Sequence, residues 1–258
     1  MAATIYYDNV GSRSATIADG TIDNSSNPGN FTNNLGSDEL DNELRAIDGN
    51  ITDVIGGWAV NEGLQFDFGS AVSPDFCAIY STVATDNEVR VNMDTASSGS
   101  FTGLWNDQES LSVGWNIRTL TVLARRYRTL NSKEGDLTGI SEVFFGTKFE
   151  LPVQPTANII TKHTLGSEEI KTYGANRIYF DKHSNYKQLT LSLDHMTSAN
   201  KTSLETFSNT VTDREPFIYS EDGLTGPYHW VRLVRPLTFK QVLPDIFSCQ
   251  MVMRELTS

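Results

Sequence analysis

The sequence predicts a mainly β chain of two domains. Residues 1–151 read as a β-sandwich, and residues 152–258 as a β-sandwich or small barrel with one packed helix. Three observations predict this. Short apolar runs alternate with polar residues at the period of two that half-buried strands require. Gly, Asn, Ser and Asp cluster between those runs, as in 23–30 and 96–100, where turn chemistry is needed. Only one stretch keeps helical spacing over several turns.

The elements follow in order. Leu64-Gln-Phe-Asp-Phe68 alternates cleanly, Phe76-Cys-Ala-Ile-Tyr80 reads as a more fully buried strand, and Glu88-Val-Arg-Val-Asn-Met93 alternates again. Residues 117–130 read as one long strand or two separated by a bulge, and Ile140–Phe145 is a short strand ended by Gly146. In this half only Ser37–Arg45 suggests a helical turn, capped by Ser37 or Asp38. The boundary falls at Leu151-Pro-Val-Gln-Pro155, where two prolines make a stiff non-helical connector.

Beyond it, strands at 169–173 and 177–180 flank Gly174-Ala-Asn176, and 186–193 sets Leu189, Leu191 and Leu193 on one face. The helix runs from about Ser198 to Val211, with Leu204, Phe207 and Val211 at helical spacing and Thr197 or Ser198 as cap. Strands at 216–220, 228–234, 237–242 and 247–253 close the chain, with Asp222-Gly223 and Gly226-Pro227 at the turns.

Composition removes several function classes. Of 258 residues, 32 are acidic and 20 basic, for a net charge of −12. The first 151 residues carry 21 acidic and 9 basic side chains and the remainder 11 of each, so all the excess lies in the first domain. Nucleic-acid binding needs a concentrated positive field and is not expected. Two cysteines make no disulfide framework, and Cys77 and Cys249 both sit in apolar strands as inert buried thiols. No apolar run reaches the roughly 18–20 residues that span a bilayer. The opening residues MAATIYYD have neither the basic nor the apolar region of a secretory signal.

The segment Ala46-Ile-Asp-Gly-Asn-Ile-Thr-Asp53, followed by Gly57-Trp58 and Leu64-Gln-Phe-Asp-Phe-Gly69, resembles discoidin-type (coagulation factor 5/8 C-type) galactose-binding-like domains. The resemblance covers roughly residues 5 to 150 and implies an eight-stranded jelly roll. It also implies a Ca²⁺ under the acidic turn, held by Asp48, Asn50 and Thr52. Oxygen ligands in a turn suit Ca²⁺, and the same Asp and Asn also serve a turn that holds no metal; no cofactor is required. For modules of this kind that bind glycans, the exposed aromatics and cations available here are Trp58, Arg90, Trp105 and Trp115. A Trp in a strand pattern equally reads as core.

Residues 150–258 carry a second resemblance. Strand, helix, Arg214-Glu-Pro-Phe217, Asp222-Gly223, Tyr228-His-Trp-Val-Arg-Leu233, Leu237-Thr-Phe239 and Ile246–Met253 follow one another. The order resembles the tail-tube-like fold of bacteriophage distal tail and tail-tip ring proteins. It implies a virion component made in the host cytoplasm, forming a hexameric or trimeric ring with itself beside other tail proteins, with the acidic sandwich projecting outward. Candidate ring-contact residues are Tyr173, Tyr179, Phe180, Tyr228 and Trp230.

Catalytic chemistry is not indicated. His163, His183, His195 and His229 show no metal-ligand spacing, and Asp194-His195 is a sequence pair whose side chains leave a strand on opposite faces. No nucleophile elbow, P-loop or dinucleotide fingerprint occurs. Arg125, Arg126 and Arg128 form the basic cluster of the acidic half, with Arg126 and Arg128 on one strand face. The leading expectation is a non-enzymatic tail component; the alternatives are a carbohydrate-binding module protein, which also describes a tail sandwich touching host glycan, and, more weakly, a glycoside hydrolase.

Overall fold

A computed structural model describes residues 3–8, 16–22, 31–32, 51, 62–85, 89–94, 102–103, 110–131, 138–155, 160–164, 167–171, 178–182, 186–212 and 215–256. The chain divides into two compact units, 8–148 and 1–7 with 149–257. This differs from a single boundary at 151/152. Strand β1 (Thr4–Tyr7) pairs antiparallel with a strand some two hundred residues later, Thr4 opposite Ser220 and Tyr6 opposite Ile218. Leu151 belongs to the same core, and its N–H donates to the Ala3 carbonyl at 2.9 Å. In sequence, therefore, the sandwich is an insertion after β1.

The unit 8–148 is a jelly-roll β-sandwich. One sheet contains β2 (Thr16–Ile22), β3 (Phe31–Thr32), β4 (Glu62–Val72), β6 (Val89–Asp94), β7 (Thr102–Gly103) and β9 (Ala124–Asn131), in the order β3-β2-β4-β9-β6-β7. Facing it, β5 (Phe76–Ser81) pairs with β8 (Gly114–Thr119) and β10 (Ile140–Glu150). Between the sheets, Phe66 and Tyr127 pack on Phe145 with ring centres 5.0 and 5.4 Å apart. The stretch 117–130 is two strands in different sheets rather than one. Between them, Leu120 N–H donates to Asp75 O at 2.7 Å, and the Tyr127 hydroxyl lies within 2.9 Å of both Val72 O and Val122 O. Those contacts satisfy the backbone where the chain changes sheets.

In the other unit, β11 (Ile160–Thr164), β14 (Tyr186–Thr197), β18 (Ile246–Glu255), β16 (Tyr228–Leu233), β15 (Phe217–Ser220) and β1 lie in that order, with β17 (Phe239–Leu243) also on β18. β12 (Ser167–Lys171) and β13 (Ile178–Lys182) form a separate antiparallel pair. Helix α1 (Ser198–Val211) buries Leu204, Phe207 and Val211 against one face of the sheet. Thr197 is its cap, its hydroxyl accepting from Asn200 N–H at 3.3 Å. The Phe207 ring meets Tyr7 and Phe217 edge-on at 5.1 and 5.3 Å. Both cysteines are free and buried.

Candidate functional site

Alternation along β4, β9 and β6 sends one set of side chains into the sandwich and the other to the opposite face of the sheet. Leu64, Phe66, Tyr127, Val89 and Val91 fill the core. Antiparallel register places partners on the same face, so the opposite face carries two polar rows. In one, Arg128 lies between Gln65 and Asn92; in the next, Arg126 lies between Asp67 and Asp94. Arg90 follows Asn92 on that face of β6, about 7 Å along the strand.

An antiparallel sheet face turned from its core is ordinarily solvated. This one is not: Gln65, Asn92 and Arg128 are only 9 %, 5 % and 6 % exposed. The two rows differ chemically. In the second, Arg126 Nη2 sits 2.5 Å from Asp94 Oδ2. The register irregularity between Asp67 and Val72 accompanies a bidentate pair from Arg125 to Asp67, at 2.8 and 3.0 Å. Burial alone would raise the Asp67 pKa, but the Arg125 hydrogen bond, the Gly69 N–H and the two guanidinium charges together hold it below the ordinary value.

The first row is built from amides around a cation. Burial, then repulsion from Arg90 and Arg126, pulls the Arg128 pKa down to about 10, against an opposing pull from Asp94. Gln65 Oε1 and Asn92 Oδ1 are buried without a hydrogen-bond partner. Guanidinium donors beside amide groups that both donate and accept are chemistry suited to a ligand carrying hydroxyls or a carboxylate.

Of the residues picked from sequence, Arg90 joins this face. Trp115 does not act as an open platform: it is 8 % exposed and stacks edge-on against Tyr80 at 5.2 Å. Trp58, Trp105 and the turn residues Asp48, Asn50 and Thr52 lie outside the described residues, as does Tyr173. Tyr179 and Phe180 lie on β13, paired with Ile170 and Glu169, and their side chains fall outside the described set.

Trp230 is 5 % exposed, so its ring is not open to an outward contact. Tyr228 is half-buried, its hydroxyl donating to the Leu224 carbonyl. Among the described residues of that unit, β17 ends on two exposed apolar side chains, Val242 and Leu243. His195 is exposed. His229 is buried, its Nδ1 2.9 Å from Glu255 and its ring stacked on Tyr219. Among the described residues no group of three His, Cys, Asp or Glu is placed to hold a metal, and no helix is long and apolar enough to cross a membrane.

Sequence reasoning noticed the arginines but passed over Gln65, Asn92 and Asp94. The signal was present in the alternation of 64–68 and 88–93, which puts 65, 90 and 92 off the apolar face. Only the register shows that they meet Arg128.

No protein-family model matches the chain, and no curated protein matches it. Among the solved structures similar to it are carbohydrate-binding modules of the CBM32 type and a GH29 fucosidase of Ruminococcus gnavus. CpGH89CBM32-6 of Clostridium perfringens aligns with a TM-score of 0.40 at 11 % identity, over 55 % of this chain and 99 % of that one. CpGH89CBM32-5 of the same organism, in complex with GalNAc-β-1,3-galactose, gives 0.38 at 7 % identity, over 54 % and 100 %. Chitosan-binding module 1 from a chitosanase/glucanase of Paenibacillus sp. IK-5 gives 0.38 at 14 % identity, over 54 % and 98 %.

Proposed function

We propose that the chain is a carbohydrate-binding protein whose sandwich, 8–148, recognises glycan and does not turn it over. The observation that carries this reading is the row Gln65–Arg128–Asn92 on the sheet face turned from the core, where a guanidinium lies between two amides whose oxygens lack a hydrogen-bond partner. The test is a glycan array with the intact protein, including galactosides, GalNAc and chitosan oligosaccharides beside acidic glycans. Saturable binding weakened by Asn92→Ala and Gln65→Ala is expected. A blank array would overturn the reading, and release of sugar from polysaccharide would overturn its non-catalytic part.

A second reading is a phage-tail component assembling through its second unit, for which β17 would be the contact strand. This edge strand leaves Leu243 61 % exposed, and an apolar edge invites pairing with another chain. In this reading mass photometry detects oligomers that Leu243→Lys dissolves. A monomer at every concentration and with tail partners would overturn it.

A further inference from the structure

Strands β14, β16 and β18 send alternate side chains to opposite faces of their sheet. Leu189, Leu191, Val231, Leu233, Met251 and Met253 enter the core with the helix. The other face is polar. Register sets Arg232 of β16 directly opposite Arg254 of β18, Arg254 opposite Gln188 of β14, and Lys162 of β11 opposite Gln188. Farther along, Gln250 lies opposite Ser192, and Arg235 Nη2 donates to Gln250 Oε1 at 3.0 Å. This face is open to solvent: Arg235 and Gln250 are exposed, and Arg232, Arg254, Gln188 and Ser192 are half-buried.

Its charges are of one sign over most of its length. Arg232 and Arg254 are like charges in opposed positions, an arrangement that costs stability. Glu255 turns to the core side, where it meets His229. Asp194 lies roughly 20 Å along β14 from Gln188, at the bulge. Arg254 holds further contacts of its own. Arg232, by contrast, makes no hydrogen bond or ion pair among the described residues, and Arg235 bonds a neutral amide.

We propose that this arginine face docks the acidic sandwich of a second copy of the chain. Charge complementarity selects that occupant. Residues 8–148 hold 20 acidic and 9 basic side chains, whereas 1–7 with 149–257 hold 12 and 11, so the unit that carries the face is nearly neutral and does not repel an acidic body. Guanidinium forks receive carboxylates through paired hydrogen bonds. The chain's overall charge of −12 opposes approach from afar, but at about 0.1 M salt that repulsion is screened beyond roughly 10 Å, and the contact itself decides. Face meets sandwich rather than face, so the contact is heterologous and grows into rings or filaments. Neither glycan binding nor β17 takes part in it.

The test is mass photometry and sedimentation of the intact protein over a concentration series, at about 0.1 M and about 1 M salt, where the Debye lengths are roughly 10 and 3 Å. Association is expected at the lower salt and lost at the higher. Arg232→Glu with Arg235→Glu should raise the apparent dissociation constant about tenfold or more, because like charges then meet across the contact. Leu243→Lys should leave it unchanged. Both arginines lie on a solvated face, so the melting temperature should hold; Arg232→Gln with Arg235→Gln is the milder variant if the reversal does not fold. A reversed copy still offers its own sandwich, so labelled reversed protein is expected to sediment with the parent protein and not with itself. A monomer at every concentration in the lower salt would overturn the proposal. Oligomers that Leu243→Lys dissolves and both arginine variants leave intact would belong to β17 and overturn it too. Binding of an oligonucleotide or acidic polysaccharide by protein that stays monomeric, lost in the same arginine variants, would give the face to another polyanion, with the same consequence.

Discussion

Two ion pairs on the same sheet face should differ sharply in what they contribute. Asp94 is fully buried and Arg126 nearly so, so Asp94→Ala leaves a guanidinium charge in a desolvated place and should cost about 3 kcal/mol in denaturant unfolding. Asp67 and Arg125 are partly exposed, and Asp67→Ala should cost less than about 1 kcal/mol. The Asp67 pair has a pH signature as well. Its folded pKa lies below the ordinary 3.8, so its stabilisation is fully present above that value and lost as pH falls through the folded one. Asp67→Asn should therefore lower the melting temperature modestly at neutral pH and converge with the parent protein in acid, well below about pH 4, so that the acid limb flattens; an unaltered acid limb would show that the pair contributes nothing. None of this was legible residue by residue. The run Arg125–Arg128 was visible in sequence, and so was its sharing of a face. Which carboxylates answer it depends on a register between strands about 30 and 60 residues apart, which spacing does not report.

Local elements were far more legible than their pairings. The helix matches its expected span because its three buried residues and its Thr197 cap are all encoded within fifteen residues. Thr197→Ala should cost about 1 kcal/mol and Phe207→Ala about 3–5 kcal/mol, the larger loss arising where Phe207 meets Tyr7, Phe149 and Phe217. Strand β1 escaped sequence reading for the opposite reason. Thr4–Tyr7 is four residues long and buried throughout, so it shows no alternation, and its partner lies at 217–220. Deleting residues 1–7 removes Ile5 and Tyr7 from the second unit's core. That variant should lower the unfolding midpoint of 149–257, read by the near-ultraviolet signal of its aromatic cluster. An unchanged midpoint would mean that β1 is dispensable to that unit. The split of 117–130 between two sheets belongs to the same class, since a local pattern cannot tell a bulge from a change of sheet.

At the scale of the whole chain, the charge asymmetry seen in the sequence largely survives when the units are drawn from the structure. Residues 8–148 carry 20 acidic and 9 basic side chains, while 1–7 with 149–257 carry 12 and 11. Self-repulsion within the sandwich is therefore concentrated in the acidic unit, and low salt should destabilise it more than its neutral companion. Each unit happens to hold one reporter for this. Cys77 is fully buried in the sandwich and Cys249 nearly so in the other unit. Burial pushes the Cys77 thiol well above its ordinary pKa and Cys249 up to about 11. Since the thiolate is the reactive form, neither should label with iodoacetamide at pH 8 in the native protein. Labelling along a denaturant series, followed by peptide mass analysis, then reads the opening of each unit separately. Lowering the salt should move the Cys77 midpoint to less denaturant while Cys249 holds. Equal movement of both would mean that the charge excess acts on the chain as one cooperative body, and rapid labelling of either thiol without denaturant would contradict its burial.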